Sequence, residues 1–300
     1  MPSYATHHIF AATVQRVTGD SVARIAAAYP AGYRWGAQGP EPLCLYHAPF
    51  PSQMRRLAQR MRTEPPAPLF EALCDAAVRE HNTAALAYVF GFCTNYALDR
   101  VTHAFIGAQA DRLALYVPGY SVEARRKLAE SDIDGIMIAG FIAAEPAKFE
   151  AYRLLDPNAA ECTVLSRVVS SAAKSVYGMR VPPAAVYHSL HDMRRILHLT
   201  HSGSHARGRL QWVERLFGKA GQASSLIRPA EPLAADCANE AHRPWLSDGV
   251  ERTDSFCDLF DAAVPLAVSL QRAVLDRYYQ QKPLDPRFFP TDFTGTVAKS

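Results

Sequence analysis

The sequence predicts an all-α protein, and three observations carry that prediction. Ala, Leu and Arg fill long segments in which apolar residues recur at helical spacing. Strand-like alternation is rare. Pro65-Pro66, Pro118-Gly119 and Pro182-Pro183 punctuate the chain between periodic segments. The pattern places helices at 6–17, 20–28, 52–63, 67–80, 83–104, 121–142, 145–154, 160–177, 181–200, 205–217 and 253–280. They read as one helical domain over residues 1–300, with its core in 3–280.

Start signals support several of these elements. Asn82-Thr83 caps the fifth predicted helix, Ser121 with Glu123 opens the sixth, and Asp254 and Ser255 mark the start of the last. The fifth carries the most informative stretch, GFCTNYALDRVTHAFI from Gly91 to Ile106. There Asn95, Asp99 and His103 stand at i, i+4 and i+8, stacked along one face of an otherwise apolar helix. An uncompensated buried Asp costs several kcal/mol, so Asp99 requires a cation, a metal or a set of donors. From Gly218 to Gly249 the composition shifts to Gly, Ser, Pro and Asn, which reads as a long ordered loop over the helices, with Trp245 buried as a clamp. The Pro- and Phe-rich segment 283–300 reads as an extended strap, packed until about Gly295.

Composition narrows the function classes. The chain is 49% apolar and 20% charged, which suits a globular protein. A net charge of +3 does not point to nucleic acid, and no RNA- or DNA-binding signature appears. Cys44, Cys74, Cys93, Cys162, Cys237 and Cys257 are scattered without a C-x-x-C pair, which predicts reduced, mostly buried thiols and a cytoplasmic protein. The N-terminus lacks the pattern of a secretory signal, and the longest apolar run is too short to span a bilayer. A Walker A loop, a G-x-G-x-x-G fingerprint and a G-x-S-x-G elbow are all missing.

Metal-type residues occupy five places in the first half: His7-His8, Glu41 in a Gly-Pro-Glu turn, Asp99, His103 and Glu130. Helix bundles build metal sites from such inward carboxylates and histidines, although a lone histidine is usually a core or surface residue. A second histidine group, His188, His191, His198, His201 and His205, has no carboxylate or cysteine at ligand spacing and reads as an exposed helix face that ends near Thr200.

The segments Thr6–Phe10, Gly36–Glu41, Gly91–Ile106, Glu130–Asp134 and Asp254–Ala262 resemble the zinc-dependent phospholipase C family. The stretch Asn-Tyr-Ala-Leu-Asp-x-x-x-His is the most specific part. The resemblance implies a helical bundle of the phospholipase C/P1-nuclease type with three zinc ions at its mouth. Zinc-activated water there attacks the phosphodiester of a phospholipid head group. It further implies that His7, or alternatively His8, Asp99, His103 and Glu130 are metal ligands, and that Glu41 is a general-base candidate.

At three matched positions the family's histidine is replaced, by Arg62, Asn95 and Arg126. A guanidinium offers no lone pair, so arginine supplies charge but never ligates. Arg126 and Glu130 stand at i, i+4, in reach of a salt bridge. Arg62 is placed to pair with Asp99, and Asn95 to donate to the same carboxylate. The competing reading puts Arg62 on a solvated face with Arg55, Arg56 and Arg60, and Arg126 in a surface run with Arg125 and Lys127.

Three functions follow. The first is a degenerate family member, weakly active or inactive, that takes a phosphate-bearing ligand such as a phospholipid head group through Arg62 and Arg126. It holds fewer than three zinc ions, or none if the arginines replace them. The second is an active metal-dependent phosphodiesterase with a reduced metal count. The third is a non-catalytic helical interaction protein.

Overall fold

The computed structural model describes residues 4–155, 157–200, 208, 210–212, 214, 224–227, 229, 232–247 and 249–297. It is all-α, with a single two-stranded hairpin among the described residues. The first half holds α1 (Tyr4–Val17), α2 (Asp20–Ala28), α3 (Pro30–Ala37), α4 (Glu41–Cys44), α5 (Gln53–Thr63), α6 (Pro66–Glu80) and α7 (Thr83–Arg112). Then come α8 (Val122–Met137), α9 (Ala159–Tyr177), α10 (Pro183–Leu199), the strands β1 (Trp245–Ser247) and β2 (Val250–Arg252), and α11 (Phe256–Gln280).

Helix α7 organises everything else. Its 30 residues make a rod of about 45 Å. Every residue from Ala84 to Asp99 is buried, so this part of the helix is wrapped on every side, with Asn95 and Asp99 as polar exceptions in a mostly apolar run. Up to Tyr96 it belongs to one core, shared with α3, α6, α9 and α10; from Ala97 it belongs to a second, shared with α1, α8 and α11. Asp99 and His103 therefore lie where the second core begins.

The approach of α3 to α7 explains why the sequence did not predict α3. Residues Pro30–Ala37 carry Pro30 and two glycines and have little intrinsic helix propensity. Those glycines serve packing instead. A Cβ on Gly36 would stand 2.0 Å from the Tyr88 carbonyl, and one on Gly91 would stand 2.0 Å from the Tyr33 carbonyl. Backbone meets backbone, and tertiary contact stabilises a helix that propensity alone would not. Glu161 of α9, itself buried, accepts from the Gly32 amide at 2.7 Å and satisfies an orphan donor in the first turn.

Other boundaries also shift. Helix α7 runs eight residues past the predicted end at 104, because Phe105, Ile106 and Ala110 keep facing the core and Gly107 does not interrupt it. The predicted helix 121–142 ends as α-helix at Met137; residues 138–142 form a π-turn, closed by Ala143 in the left-handed region at φ 53°. The predicted helix 145–154 is instead two short 3₁₀ turns, 146–148 and 151–154. The predicted helix 205–217 falls mostly outside the described residues. The caps at Asn82, Ser121 and Ser255 form as the sequence predicts, the last as a capping box with Asp258.

Trp245 is buried and meets Phe105 edge-on at 5.4 Å, though it belongs to the β1–β2 hairpin rather than to an irregular loop. The C-terminal strap packs through Phe289 and Phe293 against Phe70, Phe92 and Tyr96. His188, His191 and His198 lie on the exposed face of α10, which ends at Leu199; His201 and His205 lie outside the described residues.

Candidate functional site

The site assembles where α1, α5, α7 and α8 converge below the turn into α4. Helix α1 is held in place by Asp134 of α8. Its buried carboxylate accepts from the Ala5 amide at 3.2 Å, the Thr6 amide at 2.8 Å and the Thr6 hydroxyl at 2.6 Å. An anion at the first turn satisfies orphan donors and complements the helix dipole. The sequence reading included Asp134 in a matched segment but gave it no role. The Glu-x-Asp-x-Asp pattern of Glu130–Asp134 is not specific enough to single out a helix cap 128 residues away.

That anchoring sets His7 inward. His7 is 3% exposed, and its Nε2 stands 3.2 Å from Oδ1 of fully buried Asp99. The contact is close but not aligned as a hydrogen bond, since both Asp99 oxygens lack a directional partner. Asn95, one turn before Asp99, donates from Nδ2 to the Ala37 carbonyl at 3.2 Å and sits 3.3 Å from His7 Nδ1. Its amide therefore reaches α3 and the imidazole, not the Asp99 carboxylate as the spacing suggests. Gly39, in the left-handed region at φ 57°, makes room for it: a Cβ there would fall 2.0 Å from Asn95 Oδ1.

The Arg62 side chain, one-fifth exposed, turns into the cluster rather than out along α5 with its neighbours. It pairs with Glu41 at the start of α4, not with Asp99 as expected. Asp99 nevertheless lies within its field. Burial pushes the guanidinium pKa below its ordinary value, and the charges of Asp99 and Glu130 push it back up. Tyr4 stands in the same cluster: burial drives its phenol well above the usual range, and Glu130 drives it further. Tyr4 escaped the sequence reading because a lone N-terminal tyrosine carries no motif.

Arg126 likewise turns inward from α8. Its Nη2 donates to the His103 carbonyl at 3.1 Å and lies 3.2 Å from each nitrogen of the His103 ring. Burial first, and Arg126 among the neighbouring charges, lower the His103 pKa to about 3, so the imidazole is neutral at pH 7. Arg126 also covers Gly107, where an added Cβ would stand 3.6 Å from the guanidinium.

The structure thus brings together His7, Asn95, Asp99, Arg62 and Glu41 in one cluster, and Arg126 with His103 in a second beside it. Among the described residues, no group of three or more His, Cys, Asp or Glu side chains converges as metal ligands. The described residues alone do not assemble a three-zinc cluster, which needs three protein donors around each ion. A guanidinium stands within the field of Asp99 and Glu130, and another covers His103. The arrangement can neutralise buried carboxylates with organic cations. It does not present Glu41 freely to water, because Arg62 takes one of its oxygens.

All six cysteines are free thiols, four of them buried. No helix among the described residues is long and apolar enough to cross a membrane. Comparison with protein-family models, with curated proteins and with solved structures finds no match.

Proposed function

We propose that this chain is a divergent relative of the zinc-dependent phospholipases C, weakly active or inactive, in which arginines stand in for the metal ions. The fold would be a bundle of the phospholipase C/P1-nuclease type. One observation carries the reading: Arg62, a residue that cannot ligate metal, is turned inward against Glu41 and within the field of Asp99 and Glu130. A hydrolytic centre needs an activated water and an available base. Here the base candidate is engaged by a guanidinium.

Arg126 favours a second element of the same reading. Its bonds within the described structure go to the neutral His103 ring and carbonyl, so its charge is not consumed by a carboxylate in those contacts. Arginine forks suit phosphate, so a phosphate-bearing ligand, such as a lipid head group or another phosphodiester, fits that position.

Hydrolysis of a chromogenic phosphodiester, with and without added zinc, tests the proposal. The expected result is turnover at or barely above background that added zinc does not raise. Zinc-stimulated turnover lost in Glu41→Gln would establish the metal-dependent phosphodiesterase instead.

A further inference from the structure

Helix α5 ends at the cluster, and its last turn is closed by a segment far along the chain. Arg62 is the second-last residue of α5, so its carbonyl is one of those that a helix end leaves without an intrahelical partner. The Phe293 amide of the strap donates to it at 3.2 Å. Two more bonds join the strap to α7 on either side of Asp99. The Tyr96 hydroxyl donates to the Thr291 carbonyl at 2.7 Å, and Arg100 Nη1 donates to the Phe288 carbonyl at 3.0 Å. The strap thus ties the end of α5 to the stretch of α7 that carries Asp99. The course of that last turn of α5 decides where Arg62 points: two residues earlier, Arg60 faces the other way, toward Glu64 and the Tyr177 carbonyl. Helix ends open before helix centres do, and residue 62 lies in the turn that opens first.

The strap is arranged to move as one piece. Asp292 accepts from the Thr294 amide and hydroxyl, both at 2.7 Å, and from the Thr296 amide at 3.1 Å. Thr291 pairs with Val297 in an antiparallel bridge. These bonds lie within the strap and persist if it detaches. Its anchors are Phe293, fully buried, and Phe289, 5% exposed, which pack on Phe70, Phe92 and Tyr96. Gln281, Lys282 and Pro283, which join it to α11, are exposed, so it can leave without unwinding that helix.

We propose that the strap, residues 284–297, is a releasable clamp on the Arg62–Glu41 pair. Seated, it holds the guanidinium on the carboxylate; released, the last turn of α5 opens and Glu41 faces water. This deepens the functional reading above, on which it rests for its meaning, by naming what controls the arginine-occupied site. Seating of the strap and closure of the pair are linked, and linkage is reciprocal: whatever loosens one loosens the other.

Modification of the full chain by phenylglyoxal, read at each arginine by mass spectrometry, tests the clamp. With the pair closed the Arg62 side chain is only 20% exposed and should react slowly. Phe289→Ala with Phe293→Ala should raise the Arg62 rate about tenfold and leave Arg126, held on His103, unchanged. Tyr96→Phe with Arg100→Met keeps both anchor rings and should raise it about threefold; this variant decides the matter if circular dichroism shows the first to be unfolded. In the unsubstituted chain the Phe293 amide should exchange faster than the amides of α7, and Glu41→Gln should speed it a further threefold or so. An Arg62 rate unchanged in a folded variant, equal rises at Arg62 and Arg126, or a Phe293 amide that exchanges only with α7 would overturn the proposal. These readouts require neither zinc nor turnover. Bound zinc would remove the functional reading and leave the Arg62 rates to decide the clamp, whereas unchanged rates would remove the clamp and leave that reading standing.

Discussion

Arg62 of α5 pairs with Glu41 at the start of α4, directly within the field of the fully buried Asp99 carboxylate. One cation thereby serves two acidic residues that come from different helices. The pair links the short α4 turn to the centre of the molecule. It also supplies, from within the chain, one positive charge against the Glu41 and Asp99 carboxylates.

Removing that cation strands the carboxylates. Arg62→Met should destabilise the fold by about 2–4 kcal/mol, the range for breaking a buried pair, reduced because the side chain is partly exposed. Arg62→Lys should recover part of the loss, since it restores charge but not the fork. Urea unfolding measures both. An unchanged midpoint for Arg62→Met would show that Asp99 needs no counter-charge.

The converse substitution acts on the same balance. Asp99→Ala should cost about 3 kcal/mol, because it leaves His7 and Arg62 facing an unfilled, uncharged space. The double variant with Arg62→Met should be less destabilised than the sum of the two single variants. A double-mutant cycle reads that coupling, and additive losses would mean the two groups do not interact.

Asp134 predicts a separate effect. Its carboxylate accepts three bonds in the first turn of α1, so Asp134→Ala should cost about 2–4 kcal/mol. Amide exchange at Ala5 and Thr6 should accelerate more than exchange along α7. Uniform acceleration would indicate global rather than local loss.

His103 predicts the direction of the pH response. Its folded pKa of about 3 lies below its unfolded value near 6.5. Between those values the unfolded chain binds the extra proton, so stability is full above about 6.5 and falls as pH drops toward 3. From pH 7 to 5 the loss should reach about 1 kcal/mol from this residue, allowing for solvent screening. His103→Gln should flatten that part of the profile. A profile that the substitution leaves unchanged would place the acid sensitivity elsewhere.

Much of the helical architecture was legible in the sequence because periodicity and caps report local physics. Asn82, Ser121 and Ser255 each cap the helix they precede. The inward face of Asn95, Asp99 and His103 was legible for the same reason. Contacts set by tertiary approach were not. Helix α3 looks unhelical because Gly36 serves the crossing with α7, a relation between residues 36 and 88 that no local pattern encodes. Expected partners were also misassigned. The family resemblance placed Arg62 on Asp99, and the i, i+4 spacing placed the Asn95 amide on the same carboxylate, whereas the guanidinium reaches Glu41 and the amide reaches Ala37. Arg126 reaches His103 across the α7–α8 interface, a neighbour that i, i+4 counting along one helix cannot reveal. Asp134 and Tyr4 were missed because their roles depend on where α1 begins against α8.

The account rests on organic cations balancing carboxylates that would otherwise require metal. The most direct measurement is the zinc content of the full chain, purified without chelator, desalted and assayed by elemental analysis. Clearly less than one zinc per chain, together with an unfolding midpoint unmoved by chelator, is the predicted result. One or more zinc ions held per chain, with a midpoint that falls when they are stripped, would contradict it.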